Sequence, residues 1–267
     1  MADTGRADSN HDRRRILRCV VVSAMIPALQ PIFRGDLATI GEQLVLEDDP
    51  RPYVPGGELL DERRLGRLLA RFAENYEQPD LPAVATQWSK WHFSVLLTPV
   101  LAANVIADWH LPTDIQSIGV ILSEDSRTLA MRLPSEGRAV RPANAHERFD
   151  VLIERHLKPL IAALSHASGL PQKVLWSNAG NVAENVMREC ETLLGADHPG
   201  VQAGSLLFSS RHWPDGSRNG LYQPVRYVNK GDETHRQRRV CCLRYLIPSL
   251  AYCKSCPLDV SRRQTPC

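Results

Sequence analysis

The sequence has little charge of one sign. Its 32 Lys and Arg nearly balance 30 Asp and Glu, a net charge of +2 over 267 residues. No stretch interleaves aromatics with basic residues, so nothing argues for nucleic acid as a partner. No G-x-G-x-x-G follows a predicted strand and there is no Walker A motif, which leaves no recognisable seat for a dinucleotide hydride carrier or for ATP. No stretch approaches the roughly 20 apolar residues of a spanning helix, so a transmembrane segment is not expected. His92, His110, His146, His156, His166, His198, His212 and His235 show neither H-x-E nor paired metal-site spacing; a neutral surface or core role is expected of each. Internal repeats are lacking, and low complexity is confined to the polar N-terminal tail.

What remains is an ordinary soluble composition, 43% apolar and 23% charged, in a chain long enough to bury a core without cysteine staples. The tail, residues 1–15, reads as disordered. Arg13-Arg14-Arg15 with the apolar run that follows resembles a signal peptide only weakly, because Pro27 and Pro31 interrupt the run and no small-x-small cleavage site is evident. The expected location is the cytoplasm, where disulfides are rare and clustered cysteines more often bind metal.

Periodicity predicts a body over 16–235 that is α+β and helix-dominated, with short hairpins. A short helix is expected over 16–33 and an amphipathic one over Leu59 to Tyr76. Val84 to Trp109 reads as one helix kinked at Pro99, or two meeting there. Ile115 to Leu122 and Arg127 to Leu133 suggest a hairpin, 134–145 a loop, and Phe149 to Ser168 a helix stopped by Gly169. Val174 to Trp176 reads as a brief strand before a helix over Val182 to Leu194, begun by Asn178 or Asn181, with Asn178 the expected cap. Leu206 to His212 and Tyr222 to Val228 read as strands around Pro214-Asp215-Gly216. Trp88, Trp91 and Trp176 are expected in the core.

The last thirty residues are different in kind. Cys241-Cys242, ten residues, then Cys253-Lys254-Ser255-Cys256 place four of the seven cysteines within sixteen positions, as C-C-x10-C-x2-C. Cys19, Cys190 and Cys267 lie apart, as expected core, helix and loose terminal thiols. A zinc knuckle takes two C-x2–4-C pairs. Only one pair fits, and adjacent cysteines in an extended segment point to opposite sides, so one small ion would demand a tight bend. A two-iron centre accepts less regular spacing. The residues alone leave iron–sulfur and zinc of similar weight, with disulfide and inert readings behind.

This segment resembles the C-terminal signature of the FhuF-like ferric-siderophore reductases, flanks included: Arg238-Arg239 before the pair, Leu243-Arg244-Tyr245 after it and Pro257-Leu258 at the end. Trp176-Ser177-Asn178 resembles that family's W-S-N segment, and Trp88-x-x-Trp91 with Pro99 its tryptophan-containing helix. The resemblance implies a [2Fe–2S] cluster on Cys241, Cys242, Cys253 and Cys256, carried by a C-terminal segment over 236–267. It implies reduction of a ferric siderophore of the hydroxamate type, by one electron, to release Fe(II) in the cytoplasm. Hydroxamate oxygens hold Fe(III) tightly and Fe(II) weakly, so one electron makes the complex labile. Electrons would come from a small, usually acidic protein such as a ferredoxin or flavodoxin, and Arg236, Arg238, Arg239, Arg244 and Lys254 are candidates to steer it. Peripheral association with the inner membrane is compatible with substrate arriving through a transporter, although no amphipathic anchor stands out. The alternative is a siderophore-binding or iron-handling module closed by a structural zinc knuckle, without redox activity.

Overall fold

The computed structural model describes residues 25–141 and 144–258. Cys19, Cys267, the N-terminal tail and the first half of the short helix expected over 16–33 lie outside these residues. Only a 3-10 turn, Pro27–Leu29, falls in the described part of that last segment.

Two long helices form the centre. The helices are α1 (Ala38–Gly41), α2 (Glu62–Ala73), α3 (Leu81–Ala107), α4 (Ala145–Leu152), α5 (Lys158–Ser168), α6 (Gln172–Leu194) and α7 (Pro199–Ser209). Of these, α3 and α6 are the longest and pack along each other. Helix α3 starts where Asp80 accepts a hydrogen bond from the Ala83 N–H at 2.9 Å, a side-chain cap on an otherwise orphaned donor. It runs through buried Pro99 without a break into two helices. Its length and mean hydropathy of 1.2 would suit a membrane span, yet 67% of its apolar window is buried inside the protein. Here it is the core helix.

The strands are β1 (Leu44–Val45), β2 (Val54–Pro55), β3 (Trp109–His110), β4 (Gly119–Leu122), β5 (Thr128–Arg132), β6 (Arg138–Ala139), β7 (Val225–Lys230) and β8 (Glu233–Arg238). β4 and β5 form the expected hairpin, with Val120 opposite Met131. It is flanked by β2 and by β1, which runs parallel to β5. The segment 134–145, expected to be a loop, also contains β6, which pairs with β3.

Three expectations fail. Val174 to Trp176 is helical, inside the first turns of α6. The apolar triplet mimics a strand, but buried Leu175, Ala179, Ala183, Val186, Met187 and Cys190 recur at helical spacing. Asn178 is therefore buried mid-helix and caps nothing. Leu206 to His212 lies largely in α7, whose buried Val201, Gly204 and Leu207 lean on α3 and α6. Gly200 is required there: a Cβ would sit 2.3 Å from the Val105 carbonyl oxygen. The true C-terminal hairpin is β7–β8, turning at Gly231 with φ +63°. β8 is almost wholly polar, so it carries no alternation to betray it.

The helix expected over Phe149 to Ser168 is interrupted by a π segment, Ile153–Leu157, joining α4 to α5. It lies where His156 enters the core. His156 and His92 are both fully buried. His156 Nδ1 donates to the Thr113 carbonyl at 2.8 Å, which leaves its Nε2 an acceptor for His92 Nε2–H at 3.2 Å. His92 Nδ1 then accepts from Thr128 Oγ1 at 3.1 Å. The chain of bonds is complete with both rings neutral. Burial holds both pKa values down, that of His156 to about 4.

Candidate metal centre

β8 delivers the chain to the cysteines. Its end is pinned to the following loop: Arg238 N–H donates to the Ser255 carbonyl at 2.8 Å and Gln237 Nε2 to the Cys256 carbonyl at 3.2 Å. The bend that adjacent cysteines demand is present. Leu243 takes φ +55° and its N–H points back at Cys241 Sγ, 3.4 Å away. The second pair closes as a tight turn, with Cys256 N–H donating to the Cys253 carbonyl at 3.0 Å. Val240, Leu243, Ile247 and Leu250 pack onto the main core, so the segment is anchored to the body.

The four thiols gather. Cys242 and Cys253 Sγ are 3.8 Å apart. Burial raises the Cys241 pKa, and Cys242 and Cys256 are both close enough to raise it further. Among the described residues, no three His, Cys, Asp or Glu side chains converge on one single-ion site. Cys242 and Cys256 are buried; Cys241 and Cys253 are partly exposed. All four are free, as is buried Cys190 in α6, whose pKa burial raises to about 11.

Behind the thiols stand two cations, half-buried Lys90 and buried Arg238. Lys90, from the middle of α3, donates to Cys242 Sγ at 2.9 Å. Burial lowers its pKa, and the Cys242 charge opposes that. Arg238 is 2% exposed. Its Nη2 donates to Asn178 Oδ1 and to Ser177 Oγ, while its Nε is buried without a hydrogen-bond partner. Asn178 in turn donates to Thr86 Oγ1 at 2.7 Å and Ser89 Oγ at 2.9 Å on α3. A buried guanidinium needs such a fixed acceptor. The Cys242 thiol is held well below its ordinary value, first by its hydrogen bond with Cys253 and then by Lys90 and Arg238, against a burial that raises it.

The arginines expected to steer a partner thus divide. Arg238 is internal. Arg236 is ion-paired with Glu184 and bonded to Asn181 on α6. Arg239 and Lys254 are exposed. Trp88 is in the core, stacked on His92, but Trp91 is 47% exposed, with Arg127 over its ring. Trp176 is half-buried and lines an open cleft. His235 is on the exposed hairpin beside Glu233.

Lys90 is the functional residue that sequence reasoning missed. It is separated from Cys242 by 152 positions, but it has a signal: it is the sole Lys, Arg, Asp or Glu in the 27 residues of α3. Asn178 had no such signal, since an Asn near a helix start reads equally well as a cap.

Residues 86–235 match the family model described as a ferric iron reductase FhuF-like transporter, and residues 238–258 match the FhuF 2Fe-2S C-terminal domain. Over 244 residues the chain is 24% identical to the ferric siderophore reductase of Escherichia coli strain K12, across 87% of this chain and 91% of that protein. A [2Fe–2S] cofactor is therefore part of this fold's C-terminal end.

Proposed function

We propose, from the premise that the chain belongs to the FhuF-like ferric iron reductase family, that it is a reductase of ferric siderophores of the hydroxamate type, working in the cytoplasm. Cys241, Cys242, Cys253 and Cys256 hold its [2Fe–2S] centre in this reading. The observation that carries it is the gathering of the four thiols, Cys242 against Cys253 and Cys241 beside Cys242 and Cys256, since a [2Fe–2S] centre is held by four thiolates. The bound centre would supply one-electron redox chemistry.

The remaining parts of the site fit that group. Four thiolates and a cluster place net negative charge in a half-buried position, which is costly unless neighbouring charge offsets it. Lys90 and Arg238 supply two positive charges at the thiols. The orphaned Nε–H of Arg238 is a donor awaiting an acceptor on the cluster side. The Asn178–Thr86–Ser89 relay holds the guanidinium in place without adding a negative charge. Exposed Arg239 and Lys254 leave positive charge at the rim for a small acidic donor such as a ferredoxin or flavodoxin. The free thiols suit a reducing compartment.

Cys253→Ser tests the ligand assignment. Its partner Cys242 loses its sulfur neighbour, so the variant is expected to be purified colourless and inactive in ferric-hydroxamate reduction, with its helical circular dichroism retained. Retained colour would show that Cys253 is not a ligand. Retained reduction by a colourless variant would show that the electron takes another route.

A further inference from the structure

Next to the cysteines lies a cleft of about 940 Å³, at the upper end of the roughly 300–1,000 Å³ usual for small-molecule sites. Its floor and walls come from the start of α6, the 211–224 loop and the strand end at Arg239 and Val240. Val240 is the residue before Cys241, and Ser177, also in the lining, is bonded to Arg238. The cleft therefore opens onto the same two elements that frame the thiols.

Its charge is one-sided, unlike that of the chain as a whole. Lys158, Lys173, Arg211, Arg218 and Arg239 line it, against Glu154. Glu154 is already ion-paired with Lys158 at 2.6 Å, and nearby Asp215 also acts on Lys158. Among the described residues, the other four cations have no acidic partner: Arg211 lies over the Tyr222 ring, and the Arg239 guanidinium donates to the Val225 carbonyl. In the remaining lining, aromatic Trp176, Trp213 and Tyr222 alternate with serine and amide side chains. Trp176 packs against Gly220, where a Cβ would come 2.3 Å from the indole, and Trp213 is buried beneath. A cation-rich wall with aromatic faces selects a bulky ligand that carries negative charge.

We propose that this cleft is the docking site for the ferric complex, and that it selects complexes with net negative charge. This rests on the reductase reading above. Three monoanionic hydroxamates balance the charge of Fe(III), so the favoured substrates are those hydroxamate chelates that also bear a free carboxylate, rather than neutral trihydroxamates or those with an amine. No acid in the cleft offsets four cations for a cationic complex.

Binding and reduction are separable with Ga(III), which matches Fe(III) in charge and coordination but accepts no electron. The intact, cluster-loaded protein is titrated with three Ga(III) hydroxamate chelates, one anionic, one neutral and one cationic, following quenching of tryptophan fluorescence. The anionic chelate is expected to bind at least about tenfold tighter than the cationic one, with the gap narrowing as salt is added. Lys173→Glu with Arg211→Glu, both exposed positions whose exchange spares the core, is expected to abolish or invert that order. Equal or tighter binding of the cationic chelate overturns the proposal, as does an unchanged order in the double variant. Reduction of the matching Fe(III) chelates by the dithionite-reduced protein is measured separately. Charge-selective Ga(III) binding without reduction of any Fe(III) chelate contradicts the reductase reading and leaves the docking site standing. Reduction with no charge selectivity in binding does the reverse.

Discussion

The buried histidine pair makes stability depend on pH in a way that can be worked from the structure. His156 titrates near 4 in the folded protein, pushed down by burial, against about 6.5 when unfolded. The folded state thus binds fewer protons than the unfolded one between these values. Its contribution is fully present above about pH 6.5 and is lost as pH falls toward 4. Linkage gives about 2 kcal/mol lost at pH 5 relative to pH 8, rising to about 3 kcal/mol below pH 4. His92 acts in the same direction, since burial and its neighbour also hold its pKa down. The variant His156→Asn keeps an amide N–H near the Nδ1 position for the Thr113 carbonyl but cannot ionise. Urea unfolding of both proteins at pH 5, 6, 7 and 8 gives the effect as a difference: groups away from the pair cancel, and His92 keeps the burial that mainly holds its pKa down. Wild type is expected to lose about 2 kcal/mol more than the variant between pH 8 and pH 5. Parallel pH profiles would refute the assignment of a neutral, buried His156, whatever the variant costs at neutral pH.

Three further outcomes follow from the thiol site. Lys90→Met removes a unit charge 2.9 Å from Cys242 Sγ; at an effective dielectric of about 20 this lowers the midpoint potential by on the order of 200 mV, read by spectroscopic redox titration, and an unmoved potential would mean that Lys90 does not face the centre. Asn178→Leu leaves the Arg238 guanidinium only the longer bond to Ser177 Oγ and is expected to cost about 3 kcal/mol in chemical unfolding; a loss below about 1 kcal/mol would show that Ser177 and water suffice. Asn178→Asp, which keeps the acceptor but brings a negative charge toward the thiols, is expected to lower the midpoint potential; a rise would contradict the placement of that relay.

The helix-dominated architecture and the β4–β5 hairpin were legible because their apolar spacing is regular. The cysteine segment was legible because adjacent cysteines followed by C-x-x-C is a rare spacing, and the chain belongs to the family it resembles. The failures share a cause. Val174 to Trp176 and Leu206 to His212 are short apolar runs whose period cannot be judged over so few residues, and tertiary packing against α3 decides them as helix. β8 escapes because both its faces are polar. The roles of Lys90, Asn178 and Arg238 depend on long-range contacts that spacing does not encode. A mid-helix lysine, an asparagine and a basic residue before Cys241 each have a local explanation until α3 and α6 bring them behind the thiols. The cationic cleft escapes for the same reason: its charges come from separate elements, and the whole-chain balance of +2 hides them.

The most direct test of the account is the spectrum and metal content of the full chain purified without oxygen. The account predicts a red-brown protein with about two iron and two acid-labile sulfides per chain, whose visible absorption bleaches by one electron and whose reduced form alone gives an S = ½ EPR signal. A colourless protein carrying one zinc, with no EPR signal after dithionite, would contradict it and leave a structural zinc knuckle in place of the redox centre.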